Sequence, residues 1–154
     1  MKNVREIDLN NINLNIFKKR SSGCLILTKD NKILLQERDQ HCPLFPWHIS
    51  TFGGHIEDNE SPLEALIREL KEELEVEILP DEAIFLGTIS KEIYDYKALS
   101  YKFFWHDKSG RLTDKCNEGF QKFFQNYHEV LAHPKLTDDI PWVVNRCVEQ
   151  KYLN

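Results

Sequence analysis

A chain of 154 residues, 41% hydrophobic and 29% charged, has the size of one domain built on a single core (1–154). No apolar run approaches the ~20 residues of a membrane helix, which excludes a spanning helix, and a net charge of −5 without a basic aromatic stripe speaks against unaided nucleic-acid binding. A polyanionic small molecule would need metal ions and a few local cations here. The opening MKNVREIDLN holds no apolar signal region, so a cytoplasmic protein is expected. Cys24, Cys42, Cys116 and Cys147 show no close pairing, which points to free structural thiols instead of a zinc knuckle or redox motif.

In chain order, Ile12, Leu14 and Ile16 alternate with asparagines and predict a strand. It serves either the domain's own sheet or as an edge for pairing two copies in a homodimer. Residues 24–27 form an apolar strand, residues 29–32 a polar turn, and Ile33, Leu34 and Leu35 the returning hairpin partner. Further strands are expected over 47–52, 83–91 and 100–106, the last ended by the turn at 107–110. A second helix is expected over 139–152, with Pro141 in its first turn and Trp142, Val143, Cys147 and Val148 available for packing. Mixed strands with two principal helices predict an α+β sandwich.

The first helix carries the chemistry. Ser61 can cap it, Pro62 suits its first turn, and Glu64 completes a Ser-x-x-Glu capping box. Leu63, Leu66, Ile67, Leu70 and Leu74 recur at three- and four-residue steps, so one face packs on a sheet. Glu69, Glu72 and Glu73 converge on another face, and Glu60 precedes the helix in its loop. Like charges at this spacing cost roughly 0.2–0.5 kcal/mol per pair, offset in part by Arg68, which lies four residues from both Glu64 and Glu72. A hard cation such as Mg2+ would remove the conflict and grip substrate phosphates, which implies metal-assisted attack of water on phosphorus. A merely solvated acidic face is the other reading.

These residues resemble the Nudix box, G-x5-E-x7-R-E-U-x-E-E-x-G-U with U aliphatic: Gly54, Glu60, Arg68, Glu69, Leu70, Glu72, Glu73 and Val76 fall on it in register. The departure is Glu75, which stands where that pattern has a glycine ending the helix; a non-glycine residue in a left-handed conformation costs roughly 1–2 kcal/mol. Similarity to the Nudix (MutT-type) hydrolase family spans about residues 20–135 and implies a Nudix-like α/β/α sandwich, a mixed sheet between helices with a loop-helix-loop. It implies a Mg2+-dependent pyrophosphohydrolase, with Mn2+ as substitute, acting on a nucleoside triphosphate or another small nucleoside diphosphate derivative. By the same resemblance Glu72 and Glu73 are principal metal ligands with the backbone carbonyl of Gly53 or Gly54. Glu69 orients or deprotonates the attacking water or shares a metal, Arg68 holds the neighbouring carboxylates, and Glu60 braces the loop or ligates a metal.

Downstream, Cys116 to Phe120 followed by Phe123 and Phe124 resembles the family's Glu-Gly-aromatic region, where Glu118 either approaches the metal site or is a solvated charge. Arg38 either binds phosphate or makes a surface ion pair. His55 faces the site or caps a turn, and Tyr94, Tyr96, Phe103 and Trp105 either stack a base or fill the core. Two alternatives remain open. The segment from Phe45 to His55 resembles isopentenyl diphosphate isomerases, but Gly53 occupies the place of their acid cysteine. A catalytically silent Nudix domain that senses a nucleotide is the other, and it conflicts with the intact carboxylate set.

Overall fold

Strand β2 (Lys19–Leu27) lays out the molecule, because its alternating side chains enter two different cores. Leu25 and Leu27 pack with Leu35, Phe104 and the helix α3 (Asp139–Glu149), whereas Cys24 and Ile26 pack with Leu34, Trp105 and the helix α1 (Pro62–Leu74). The sheet therefore lies between the two helices, as the α/β/α expectation required. The computed structural model describes residues 3–154. Its other strands are β1 (Val4–Glu6), β3 (Ile33–Glu37), β4 (Ile49–Ser50), β5 (Phe52–His55), β6 (Ala83–Lys91), β7 (Ala98–His106) and β8 (Phe120–Phe124), and a short helix α2 covers Tyr127–Leu131.

The path across the sheet is β1-β6-β7-β2-β3-β4, with β5 beside β2 and β8 beside β3. The β2–β7 pair is parallel, Lys19 opposite Ala98 through Leu27 opposite His106, and the remaining pairs are antiparallel. The two cores bury both faces of the second half of β2 and most of β7, which explains the apolar runs at 24–27 and 103–105. Among the described residues no helix is long and apolar enough to cross a membrane.

Helix α1 begins as its local chemistry dictates: Glu64 N donates to Ser61 Oγ at 3.1 Å and Ser61 N donates back to Glu64 Oε1 at 2.9 Å. It ends at Glu75, which sits in the left-handed region (φ 53°, ψ 40°). Asn117 compensates the end of the helix. Its amide Nδ2 donates to the Glu72 carbonyl at 2.8 Å and its backbone N to the Glu73 carbonyl at 2.7 Å, satisfying carbonyls that a helix terminus leaves free. Glu75→Gly is expected to raise stability by about 0.5 kcal/mol, the steric relief being reduced by glycine's chain entropy and by the lost Asn117 contact to Glu75. An upward shift of the urea midpoint checks this, and a lower midpoint refutes it.

Two expected strands differ. Residues 12–16 are not a strand: short 3-10 turns occupy Leu9–Asn11 and Leu14–Ile16, because Asp8 and Asn13 accept hydrogen bonds from the backbone N of Asn10 and Asn15, both at 3.0 Å. The edge is supplied by β1 instead, so the pairing of two copies through residues 12–16 loses its basis. The expected strand over 47–52 is split. Trp47 has φ 63°, pairing starts only at Ile49, and Thr51 separates β4 from β5. The C-terminal helix stops at Glu149, short of residue 152.

Candidate active site

Strand β5 runs under the charged face of α1, and two glycines make the approach possible. Gly53 has φ 146°, and a Cβ there would lie 2.0 Å from the Ser22 carbonyl oxygen; on Gly54 it would lie 2.5 Å from the Glu69 carboxylate. The helix is held in place by Leu66, Leu70 and Leu74, all buried against the sheet. Its polar side is thereby aimed at the β5 backbone.

Arg68 organises that side. Its Nε and Nη2 donate to Glu60 at 2.7 and 2.9 Å, Nη1 to Glu69 at 2.9 Å and more loosely to Glu72 at 3.4 Å, and Nη2 also to the His55 carbonyl at 2.9 Å. The planar fork suits this division of labour. Hydrogen bonds from Arg68 and from the Glu57 backbone N hold the Glu60 carboxyl down at about 2. Glu60 thus ties the loop to the helix. Glu72 projects outward, its side chain 60% exposed.

Glu73 is in the opposite situation. It is 2% exposed, and among the described residues neither carboxylate oxygen has a well-formed hydrogen bond, although the Glu69 side chain and the Gly53 backbone stand beside it. Burial, then the Glu118 and Glu69 carboxylates, push its carboxyl up to about 9. Glu118 reaches this position because Asn117, tied to the end of α1, carries the loop there; the Gln36 side chain holds the Glu118 carbonyl at 2.8 Å. Sequence spacing alone did not reveal that capping role of Asn117. Glu69, Glu118, Gly53, Gly54, His55 and Arg38 all border one cleft of about 580 Å³. Arg38 stands just beyond β3, its Nε donating to the Leu44 carbonyl at 3.1 Å.

Among the described residues, no group of three or more His, Cys, Asp or Glu side chains is ready-made for a metal ion. The acidic end fits a hard cation in another way: Glu73 presents two buried oxygens with no well-formed hydrogen bond, and two carboxylates stand close enough to raise its pKa. Mg2+ takes one or two protein carboxylates and completes its shell with water and phosphate oxygens, so a full protein cage is not required. Of the aromatic candidates, Phe103 and Trp105 belong to the α1-side core, Tyr96 lies against the Arg5 guanidinium at 3.9 Å, and Tyr94 borders the cleft. The four cysteines are free, and Cys116 Sγ lies 3.3 Å from the Glu118 carbonyl oxygen.

The far side of the cleft was not anticipated from sequence. Lys91, Ser100, Lys102 and Asp139 border it, and the signal available was a lysine and a serine at alternate positions within the otherwise apolar run of β7.

Residues 17–145 match the NUDIX domain family. The chain is 30% identical over 117 residues to the CTP pyrophosphohydrolase of Escherichia coli (strain K12), covering 75% of this chain and 82% of that protein. It is also 30% identical over 101 residues to the 8-oxo-dGTP diphosphatase of Proteus vulgaris, covering 62% of this chain and 85% of that one. In fold it is similar to the MutT protein from Methanosarcina mazei Go1, with a TM-score of 0.72 at 17% identity over 86% of this chain and 94% of the other.

Proposed function

The chain belongs to the NUDIX family, and from that premise we propose that it hydrolyses the diphosphate bond of a nucleoside triphosphate or another nucleoside diphosphate derivative, with water attacking phosphorus. The observation that carries this reading is Glu73, a buried carboxylate that stands behind Glu69 and Glu118, two acidic residues that border a nucleotide-sized cleft. The names of the two relatives, a CTP pyrophosphohydrolase and an 8-oxo-dGTP diphosphatase, support the same reaction class.

Glu73 and the carbonyl of Gly53 or Gly54, with Glu69 and Glu118 nearby, are the residues that would hold a divalent cation, and Glu72 would join only by turning in from the exposed side of α1. Mg2+, or Mn2+ in its place, would supply charge neutralisation of the diphosphate and acidification of water. Glu69, held by Arg68 at 2.9 Å, is the group that orients water or accepts its proton. Arg68 keeps that carboxylate in one rotamer, Glu60 fixes Arg68, and Arg38 offers a cation to phosphate at the rim. An isomerase reading lacks its expected acid, since Gly53 takes the place of the cysteine.

Arg68→Lys keeps the charge and loses the fork, so kcat/KM is expected to fall about 10–100-fold with the fold retained, as when a group orienting a ligand is removed. Unchanged kcat/KM would remove Arg68 from the positioning role. The function itself is tested by phosphate release from nucleoside triphosphates, nucleotide sugars and dinucleotides with Mg2+ or Mn2+. Release that a chelator abolishes supports hydrolysis; nucleotide binding without release from any compound refutes it and favours a sensor.

A further inference from the structure

The cleft changes sign along its length. On β7, Leu99, Tyr101, Phe103 and Trp105 enter the α1-side core, so Ser100 and Lys102 face the α3 side together with Phe104. On β2 the same face runs Ser21, Gly23, Leu25, Leu27. On β2 and β7 the α3-side core thus stops at Leu25 and Phe104, and beyond them these two strands are polar, while Ile89 of β6, opposite Ser100, still belongs to the core. Lys102 occupies that ground: its Nζ lies 2.6 Å from Asp139 Oδ2 and 3.2 Å from Thr51 Oγ1. A Cβ on Gly23 would lie 2.3 Å from Thr51 Oγ1 and 3.0 Å from Lys102 Nζ, so only a hydrogen fits beneath them. Lys91 reaches the other oxygen of Asp139 at 2.8 Å.

The three side chains are set at different depths, Asp139 3% exposed, Lys102 5% and Lys91 16%. The carboxylate is held between two ammoniums, of which Lys91 is the more exposed to the cleft. A cluster that existed only to fill space would do better as apolar side chains, since buried ion groups are often neutral or destabilising relative to such replacements. One acid and one lysine would already balance. The second lysine adds a positive charge that Asp139 alone does not balance; Asp138 also acts on Lys91, burial pushes the Lys102 ammonium down, and the hydroxyls of Ser100, Thr51 and Tyr94 border the same region. A ligand group arriving there meets ammoniums and hydroxyls, with the Asp139 carboxylate between the two ammoniums.

We propose that this floor of Lys91, Lys102 and Asp139 is the specificity subsite for the part of the substrate remote from the scissile diphosphate, and that it selects an oxygen acceptor, either a ring carbonyl or an oxyanion, over an amino group. This rests on the pyrophosphohydrolase reading, which places the diphosphate at the acidic end. A site built of donors leaves them unpaired when an amino group takes the place of an oxygen, and such mismatches discriminate strongly.

Inosine and adenosine 5′-triphosphate exchange one carbonyl oxygen for one amino group. Wild type is expected to favour the inosine nucleotide in kcat/KM on the order of tenfold or more, and Lys91→Met to bring the ratio within about twofold. The ratio is independent of the fraction of protein folded, and Lys91→Met leaves Asp139 paired with Lys102. Phosphoribosyl diphosphate, which has a phosphate and no base at its far end, separates the two sources. Its preference over both nucleotides, lost in Lys91→Met, identifies an oxyanion; the inosine preference identifies a carbonyl. Equal turnover of all three compounds, or a preference that survives Lys91→Met, overturns the proposal. Should nothing be hydrolysed, the hydrolase reading fails on its own. Calorimetric binding of inosine and adenosine 5′-monophosphate then decides the subsite: an inosine preference abolished by Lys91→Met supports it, and equal binding overturns it.

Discussion

Replacing Glu73 by glutamine is expected to lower hydrolysis about 10²–10³-fold and, in metal-free protein, to flatten the dependence of stability on pH. The first effect follows from removing a charge that binds the cation at the acidic end. The second follows from linkage. Burial and the Glu118 and Glu69 carboxylates raise the Glu73 carboxyl from 4.5 to about 9 in the folded protein, so between these values the folded state holds a proton that the unfolded chain has released. The contribution is full below about pH 4.5 and declines as pH rises towards 9. With about 1.4 kcal/mol per unit as a ceiling, a loss on the order of a few kcal/mol is expected after relaxation of the site. Thermal unfolding in a chelator at pH 5 and pH 8 measures it: the wild-type midpoint should fall and that of Glu73→Gln should stay level, apart from changes the two proteins share. Added Mg2+ should raise the wild-type midpoint at pH 8 and leave the variant unmoved. A wild-type midpoint that rises with pH in the chelator, to a degree the variant does not share, would show that Glu73 is ionised and paired in the folded state.

Asp139→Asn should be the most damaging substitution for stability, by roughly 3–5 kcal/mol, because it leaves the ammoniums of Lys91 and Lys102 facing each other without their shared carboxylate. Burial alone would push the Asp139 carboxyl up, yet Lys102 and Lys91 outweigh it and hold the group well below the usual carboxylate range. For a depressed acid the sign is the reverse of that at Glu73. Its contribution is present above the ordinary carboxylate pKa of 3.8 and is lost as pH falls below it. Urea denaturation at neutral pH gives the loss, and adding Lys102→Met to Asp139→Asn should restore a large part of it, since the two sites are in direct contact. A loss under about 1 kcal/mol, or no recovery in the double variant, would mean that water enters the cluster and already screens it.

Helix α1 could be read in full because each of its determinants is local. Ser61, Pro62 and Glu64 start it, leucines at helical steps give it a buried face, and the arginine and carboxylates follow at distances that the helix itself imposes. The left-handed end at Glu75 was implied by the glycine of the family pattern, with a helix running slightly further as the alternative, and the structure shows the left-handed end. Residues 12–16 misled through local chemistry too: the polar side chains of Asp8 and Asn13 close turns that the alternating pattern did not weigh. Strand β8 escaped notice because Phe120 and Phe123 are about half exposed on an edge, where no buried face imposes alternation.

By itself the sequence determined the capped helix, its acidic face and the hairpin at residues 26–34, all of which depend on residues a few positions apart. The tertiary structure alone decided that Asn117 caps α1 and so brings Glu118 to Glu73, that Glu72 turns outward, and that Lys91, Lys102 and Asp139 meet at the far end of the cleft. Those contacts join residues separated by tens of positions, and only strand register and the packing of a helix on a sheet bring such residues within bonding distance.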